Sequence, residues 1–455
     1  MIRFEAGLLA EDLSKDLHSW CWMVGGQLLR SHCLTGLEAG LLPHGIQIAT
    51  QFFPLKKGDL VLLKDPQVGG PGRDRLALVQ CFREPQGSNP GVFMASGFYA
   101  PTTLGMKLPP IPLRVNGEVN EAVMAALGPC EPRLRKEIAS QDRIRDLAMK
   151  KAFQSLWTEK ALAEETSREK RDMKEKISEL PEGEISAELV CGKELIRVRL
   201  EVEDSQINFN FTGTTAGSIH ALPLAATSGI VRSTVREWLG WPRALSAACA
   251  SQMSMSTPTG CMLNAPSKNS CEEKLGTSAS LLKAAVEAAL HRWDRRVNRG
   301  LTNYFDAKAI LQFADRAPFS ISIPSGSAAT DASEGQSFFD QRALGMGFSP
   351  EKLEASCPVL VEQVDERKET TAAKEKSTGG PGLVLSFRLL EPGKLYWENP
   401  PLYRVTGKKE QSALQSSEIE ILRKGTAVSG NADGSFALEK GDIVTLRSGS
   451  GGGLV

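Results

Sequence analysis

Histidine is scarce in this chain, with five in 455 residues, and aromatic residues make up only 6%. His18 and His32 stand in no metal-ligand spacing. Charge of one sign is missing too. Lys+Arg and Asp+Glu number 54 each, so no bulk field draws the chain to nucleic acid or anionic lipid. No apolar run approaches the length of a membrane span, and acids interrupt the apolar stretch at the N-terminus, which excludes a spanning helix and a signal peptide. Nine cysteines include no Cys-x-x-Cys pair and make an odd total, which points to reduced core residues and a cytoplasmic setting. The Gly-x-x-x-x-Gly-Lys-Ser/Thr loop is absent, so nothing in the sequence suggests that this chain binds ATP itself. Serines and cysteines have no histidine nearby, which leaves no case for a nucleophile.

The most informative stretch runs from Glu201 to Thr227. Leu195, Val198, Leu200 and Val202 alternate with Arg197, Arg199 and Glu201, the period of a half-buried strand. Ile207, Phe209 and Phe211 fall on one face of a second strand after a turn at Asp204-Ser205. Small residues follow from Thr212 to Gly217, then helical potential from Leu222 to Trp238. Thr212, Gly213, Thr214 and Gly217 either form a tight structural turn or bring backbone N–H groups close to an anion or substrate, with His220 at the element end.

Upstream, residues 11–30 read as a helix with Leu13, Leu17, Trp20 and Met23 inward. Leu60–Leu63 reads as a buried strand that Lys64-Asp65-Pro66 breaks, followed by a loop through Gly69 and Gly70 that ends at Asp74. Asp65 and Asp74, joined by His44 from a preceding loop, could hold a divalent metal, and the same carboxylates could cap turns instead. Residues 107–113 read as an extended, polyproline-like crossing. Helical periodicity over Pro132–Glu179 ends in a nearly all-polar arm stopped by Pro181-Glu182-Gly183. Thr277–Arg292 reads as an Ala-rich helix, residues 364–382 as an exposed loop, Leu383–Leu446 as a β-rich lobe, and the glycine tail as frayed or packed against a partner. The expected organisation is mixed α/β (α+β), multi-lobed, with antiparallel sheets and a long helical segment. Its parts are an N-terminal lobe at 1–131, a helical arm at 132–180, a central lobe at 181–335 and a β-rich lobe with a glycine tail at 336–455.

In their order these pieces resemble the hydantoinase B/oxoprolinase family, the B-type subunits of ATP-dependent hydantoinases, 5-oxoprolinases and acetone or acetophenone carboxylases. Leu60–Gly70 with the preceding Gly58-Asp59 is similar to the family's GDV-x-L-NDPY-x-GG run, and Leu180–Glu184 to its LPDGE turn. Phe209–Ala221 is similar to DFTGT…GNINAP, Gly260–Pro266 to GSLLNP, Ser349–Val361 to PVE-x-LE…PV, and the end GDIVTLRSGSGGGLV to the family's glycine-rich terminus. The resemblance implies an A-type partner that uses ATP and Mg to phosphorylate an amide or ketone oxygen. It also implies a B-type subunit, often carrying a divalent metal (Mn, Zn or Fe) on His and Asp, that completes hydrolysis or carboxylation.

The departures concern the ligands. Gly69-Gly70-Pro71-Gly72-Arg73-Asp74 lacks the histidine that follows the family's glycine pair, and residues 95–110 contain neither histidine nor aspartate. The aspartate of DFTGT is Asn210, and His44 is the ligand-type residue left near the abbreviated histidine run. The resemblance therefore implies a hetero-oligomeric subunit with a degenerate metal site and no confident cofactor of its own. It would sit beside an A-type ATP-hydrolysing subunit and a complete B-type paralogue, and be structural or regulatory. Two other readings stand beside it: an active metal hydrolase or carboxylase rebuilt from His44, Asp65, Asp74 and His220, and a non-enzymatic scaffold.

Overall fold

The computed structural model describes residues 19–33, 36–70, 73–86, 91–99, 109–148, 159–218, 221–241, 246, 250–265, 275–293, 302, 307–316, 318–330, 333–335, 349–367, 379–398, 402–406, 416–431 and 434–452. Its chain divides into two compact units. One comprises the described residues of Met1–Glu184, Arg199–Thr212 and Ala216–Ala279, the other those of Ile185–Val198, Gly213–Thr215 and Ser280–Val455.

The first unit opens with β1 (Ser19–Val24) and β2 (Gln27–His32), joined by Gly25 and Gly26, both at positive φ. The helix expected over residues 11–30 is therefore corrected for 19–30, while 11–18 lie outside the described residues. Ser19–Val24 is buried on both faces, and such a run satisfies a helical template as well as a strand. Two glycines able to take positive φ decide for the hairpin. Helix α1 (Gly36–Phe52) follows and contains Pro43. Strands β3 (Leu60–Gly70), β4 (Arg73–Arg83), β5 (Val92–Tyr99), β6 (Ile111–Val115) and β7 (Glu118–Val119) complete an antiparallel sheet of order β2-β1-β5-β4-β3-β6-β7. Residues 111–113, expected as a surface crossing, are thus sheet.

Short helix α2 (Glu121–Ala126) and long helix α3 (Glu131–Ala148) come next. The sheet is covered on both faces, which explains why Leu60–Leu63 is apolar at every position. Val61 and Leu63 pack with Leu42, Ile46 and Ala49 of α1, whereas Leu60 and Leu62 pack with Met124, Leu134 and Ile138. Helix α4 (Glu159–Ser178) is amphipathic only along Glu169, Met173 and Ile177, and the rest of its described surface is open, as its polar sequence requires.

Next come β8 (Gly183–Cys191) and β9 (Glu194–Glu203), of which Ile185–Val198 count with the second unit, and β10 (Gln206–Asn210). Asp204 and Ser205 have φ of 49° and 57°, the mirror-image turn suited to a two-residue hairpin. Val198, Leu200 and Val202 are buried between exposed Arg197 and Arg199, and Phe209 stacks on Phe211 at 6.3 Å. Helix α5 (Leu224–Trp238) follows, and β11 (Met253–Ser256) pairs parallel with β10.

Helices α1 and α5 touch through glycine. A Cβ on Gly40 would lie 1.9 Å from the Ala225 carbonyl oxygen, and one on Gly229 would lie 2.2 Å from the Gly40 nitrogen. The Ala-rich α6 (Leu275–Trp293) begins in this unit.

The second unit is dominated by two antiparallel sheets. One contains β12 (Ala307–Gln312) and β13 (Phe319–Ile323). After the short helix α7 (Pro350–Ser356), β14 (Val359–Glu366) and β15 (Leu383–Leu389) open the other. The remaining strands are β16 (Gly393–Glu398), β17 (Tyr403–Val405), β18 (Glu418–Arg423), β19 (Thr426–Ala427), β20 (Ser435–Leu438) and β21 (Ile443–Arg447). The sheet orders are β13-β12-β16-β20 and β14-β15-β21-β18-β19, and β17 pairs with Leu189–Cys191. Leu311, Ile321 and Leu395 from one sheet share a core with Phe387, Val444 and Leu446 from the other.

Two expectations change here. Residues 364–366 continue β14, with Val364 and Glu366 exposed, and Arg367 is buried, so the described start of the expected loop is strand; 368–378 lie outside the described residues. The glycine tail is also packed through Gly452. Gly451 N donates to the Gly380 carbonyl at 2.9 Å, Gly326 N to Gly449 at 3.0 Å and Ala329 N to Gly452 at 3.1 Å. These backbones approach so closely that a Cβ on Gly451 would fall 1.8 Å from the Ser327 carbonyl oxygen.

Candidate functional site

The Gly-Asp steps that start two strands carry the same device. In Lys56-Lys57-Gly58-Asp59, Gly58 takes a φ of 89°, and the Asp59 carboxylate accepts N–H bonds from Lys56 and from Asn116, both at 2.8 Å. In Glu439-Lys440-Gly441-Asp442, Gly441 takes a φ of 91°, and Asp442 accepts from Glu439 N at 2.8 Å. The Arg423 guanidinium hydrogen-bonded to Asp442 holds that carboxyl below its usual range against the effect of burial. A carboxylate one residue after a left-handed glycine satisfies the backbone donors of its own turn.

Beyond Asp59, β3 does not break at Lys64-Asp65-Pro66 as its sequence suggests. It continues through an irregular register between Lys64 and Gly69, and Gly69 and Gly70 then pair with Asp74 and Arg73. The proline is absorbed by an irregularity in the pairing, one of the places where a ladder tolerates a missing N–H. Gly69 and Gly70 are therefore strand residues, which corrects the expected glycine loop, and the pairing brings Asp74 opposite Gly69. The side chains of Asp65 and Asp74, and all of His220, lie outside the described residues.

His44 is corrected from a loop to α1. Pro43 signals a break, yet the helix persists because one flank is held by the sheet and the other by α5. Leu42, Ile46 and Ala49 take the sheet-facing stripe, so His44 is left exposed, its Nδ1 3.5 Å from the Gln47 side-chain oxygen.

In the small-residue segment the hydroxyls of Thr214 and Thr215 have backbone partners. Asn210 Oδ1 accepts from Thr212 N at 2.9 Å. Thr214 Oγ1 accepts from Arg197 N at 3.2 Å, and Thr215 Oγ1 accepts from Leu195 N at 2.8 Å. Gly213 has a φ of 93°, and a Cβ there would meet the Arg197 guanidinium at 2.7 Å. Gly217, at φ 65°, donates its N–H to Gly260 at 3.2 Å. Downstream, Leu222 N donates to Met262 and Thr227 Oγ1 to Leu263, so the Gly260–Ala265 turn is tied to the start of α5.

Among the described residues, no group of three or more His, Cys, Asp and Glu side chains could hold a metal ion. Of the four candidate ligands, only the His44 side chain is among the described residues. Six of the described cysteines are buried. Burial raises the thiols of Cys191 and Cys357 to about 11 and that of Cys81 to about 12, which keeps them protonated at neutral pH.

Sequence reading missed the buried charges. Arg114 forks onto Asp142 at 2.7 and 2.6 Å, while Gln80 donates to the same carboxylate and Arg114 Nε reaches the Gly58 carbonyl. Burial alone would raise the Asp142 carboxyl, but Arg114, Gln80 and Arg145 together hold it below the usual value. Glu137 goes the other way, raised because burial outweighs Arg133. Ser19 donates to buried Glu38 at 2.5 Å. Buried Arg367 donates to the carbonyls of Ser416 and Ser448 and pairs with Glu418, which ties the last strand to β18. Apart from Arg133–Glu137 and Asp142–Arg145, which are neighbours on one helix, these pairs have no local sequence signal, because the partners lie 19 to 81 residues apart.

The sequence model described as Hydantoinase B/oxoprolinase matches residues 140–454. Among curated proteins none matches the chain. Solved structures share its fold, two of them as follows. The ATP-dependent caprolactamase from Pseudomonas jessenii superposes with a TM-score of 0.77 at 14% identity, covering 100% of this chain and 88% of that one. Nucleotide-free acetone carboxylase superposes with a TM-score of 0.71 at 10% identity, covering 99% and 74%.

Proposed function

We propose that this chain, which belongs to the hydantoinase B/oxoprolinase family, is a B-type subunit of an ATP-dependent amidohydrolase or ketone carboxylase assembly in the cytoplasm, with a structural or regulatory role and a degenerate metal site. The observation that carries the reading is the position of His44. It is the ligand-type residue left near the abbreviated histidine run, and it stands exposed on α1 beside Gln47. The missing histidine after Gly69-Gly70 and the His- and Asp-free stretch 95–110 support the same reading.

An A-type ATP-hydrolysing subunit would supply ATP, Mg and the phosphorylation step. A complete B-type paralogue would carry the Mn, Zn or Fe and the water or bicarbonate chemistry. The ATP-dependent caprolactamase and the acetone carboxylase that share this fold are ATP-dependent enzymes, which supports a partner of that type. In this chain the packed glycine tail and the two Asp-capped turns would maintain a surface for assembly.

The test is assembly of the A-type subunit and the complete paralogue with and without this chain, with ATP hydrolysis and substrate turnover as readouts. Metal analysis of the isolated chain accompanies it. The proposal expects a stable complex, an altered rate or assembly state, and no stoichiometric metal on the chain alone. Near-equimolar metal that is lost on His44→Ala and Asp65→Ala would overturn it in favour of a rearranged catalytic site. A stable complex with some other partner and none with an A-type subunit would favour the scaffold reading.

A further inference from the structure

The β6–β7 hairpin turns on Asn116-Gly117, the one Asn-Gly step in the sequence. Both residues have positive φ, 52° and 87°, and both are exposed. Glycine offers no side chain to hinder its own amide, and a Cβ built at Gly117 would meet nothing within 4 Å. The turn lies at the edge of the seven-stranded sheet, behind a strand only two residues long. Opening it breaks few contacts, so the backbone can visit other conformations at low free energy. The Lys56 Nζ donates to Asn116 Oδ1 at 3.4 Å, which places a cation beside the oxygen of the side-chain amide.

We infer that Asn116 is a self-modification site, where the chain deamidates spontaneously through its own backbone with the Lys56 ammonium assisting. The Gly117 amide nitrogen, deprotonated by hydroxide, attacks Asn116 Cγ and forms a C–N bond. Negative charge develops on Oδ1 where Lys56 stands, an electrostatic stabilisation of the tetrahedral species. The bond to the side-chain nitrogen then breaks, and that nitrogen leaves with an added proton as ammonia. Water opens the resulting five-membered imide at either carbonyl, giving aspartate or its β-linked isomer. Net, one water enters and one ammonia leaves, and no oxidant or cofactor takes part.

The product matters to the fold because Asn116 N is one of the two backbone donors to the buried Asp59 carboxylate. A second carboxylate at 116 repels Asp59, and the β-linked isomer lengthens the backbone of a two-residue turn.

The test is peptide mapping of the full chain aged in warm, mildly alkaline buffer, alongside Lys56→Met and Asn116→Gly, the latter free to adopt positive φ. The inference expects the mass change of NH2 exchanged for OH at Asn116 severalfold faster than at any other asparagine. It expects severalfold slowing in Lys56→Met, and a lower melting temperature in the aged protein that Asn116→Gly does not develop. Conversion at Asn116 no faster than elsewhere would overturn the site, and an unchanged rate in Lys56→Met would overturn the assistance.

Discussion

Consider alanine in place of Gly229, in the middle of α5. The added carbon would stand 2.2 Å from the Gly40 nitrogen, 2.4 Å from the Gly36 carbonyl oxygen and 2.6 Å from the Gly40 Cα. Non-bonded heavy atoms prefer about 3.5–4.0 Å, so α1 and α5 must separate by roughly 1 Å or more. All three obstructing atoms are backbone, and no rotamer change relieves the clash. Overpacking a close-packed contact costs about 3 kcal/mol at the upper end of its usual range. Alanine recovers about 1 kcal/mol of helix propensity over glycine. The expected net loss is about 2 kcal/mol, and Gly40→Ala, with its Cβ 1.9 Å from the Ala225 oxygen, should match it.

A control lies in α1 itself. At Gly45 a Cβ would meet only the Leu63 Cδ1 at 3.3 Å, the mobile end of a side chain, so Gly45→Ala should be neutral or mildly stabilising. Denaturant unfolding should show lowered midpoints at unchanged m for the two crossing variants, and a double variant that loses less than the sum, because both carbons enter one contact. A Gly229→Ala protein as stable as the parent, or a Gly45→Ala protein as weak as Gly40→Ala, would refute the reasoning.

The same logic applies to Gly451→Ala, whose Cβ would collide with the Ser327 carbonyl oxygen; calorimetry should show a lowered melting temperature. Asp142 has a depressed folded-state pKa, so its contribution is present above its unfolded value, about 3.9, and fades as pH falls through the folded one. Asp142→Asn should flatten that acid slope, and cost about 3 kcal/mol at neutral pH by leaving Arg114 buried without its charge partner, as pH-resolved denaturation will reveal. Glu137, raised, has the opposite sign: its stabilisation holds below about 4.3 and is lost as pH climbs through the folded value, so Glu137→Gln should gain in relative stability toward neutral pH. Buried Cys81, Cys191 and Cys357 should resist iodoacetamide in the native protein at neutral pH and react only after unfolding, which mass spectrometry can follow.

Strand alternation was the most legible part of the fold. The hairpin around Asp204-Ser205 and the β-rich part after Leu383 follow from period-2 patterns and turn residues, and the buried run at Leu60–Leu63 from a short apolar stretch after the Gly58-Asp59 turn. Reading failed where burial on both sides erased the period, as at Ser19–Val24, and where a strong local signal was outvoted by packing. Pro43 within α1 is such a signal, and Pro66 within β3 is another. Nor can a chain read in order reveal that Gly40 and Gly229, far apart in sequence, are small because two helices meet there.

The motif matches themselves divide by role. The Gly-Asp steps hold turns, Thr214 and Thr215 hydrogen-bond the backbone of β9, the Gly260–Ala265 turn ties to α5, and the terminal glycines interlock with Ser327 and Gly380. These retained matches take part in the backbone geometry of the fold. The departures noted from the family motifs fall on histidine and carboxylate positions, after Gly70, over residues 95–110 and at Asn210. This division supports the proposed reading of a subunit kept for assembly. It also explains why the family could be read from the chain while a catalytic residue could not: the legible letters are those that shape the backbone.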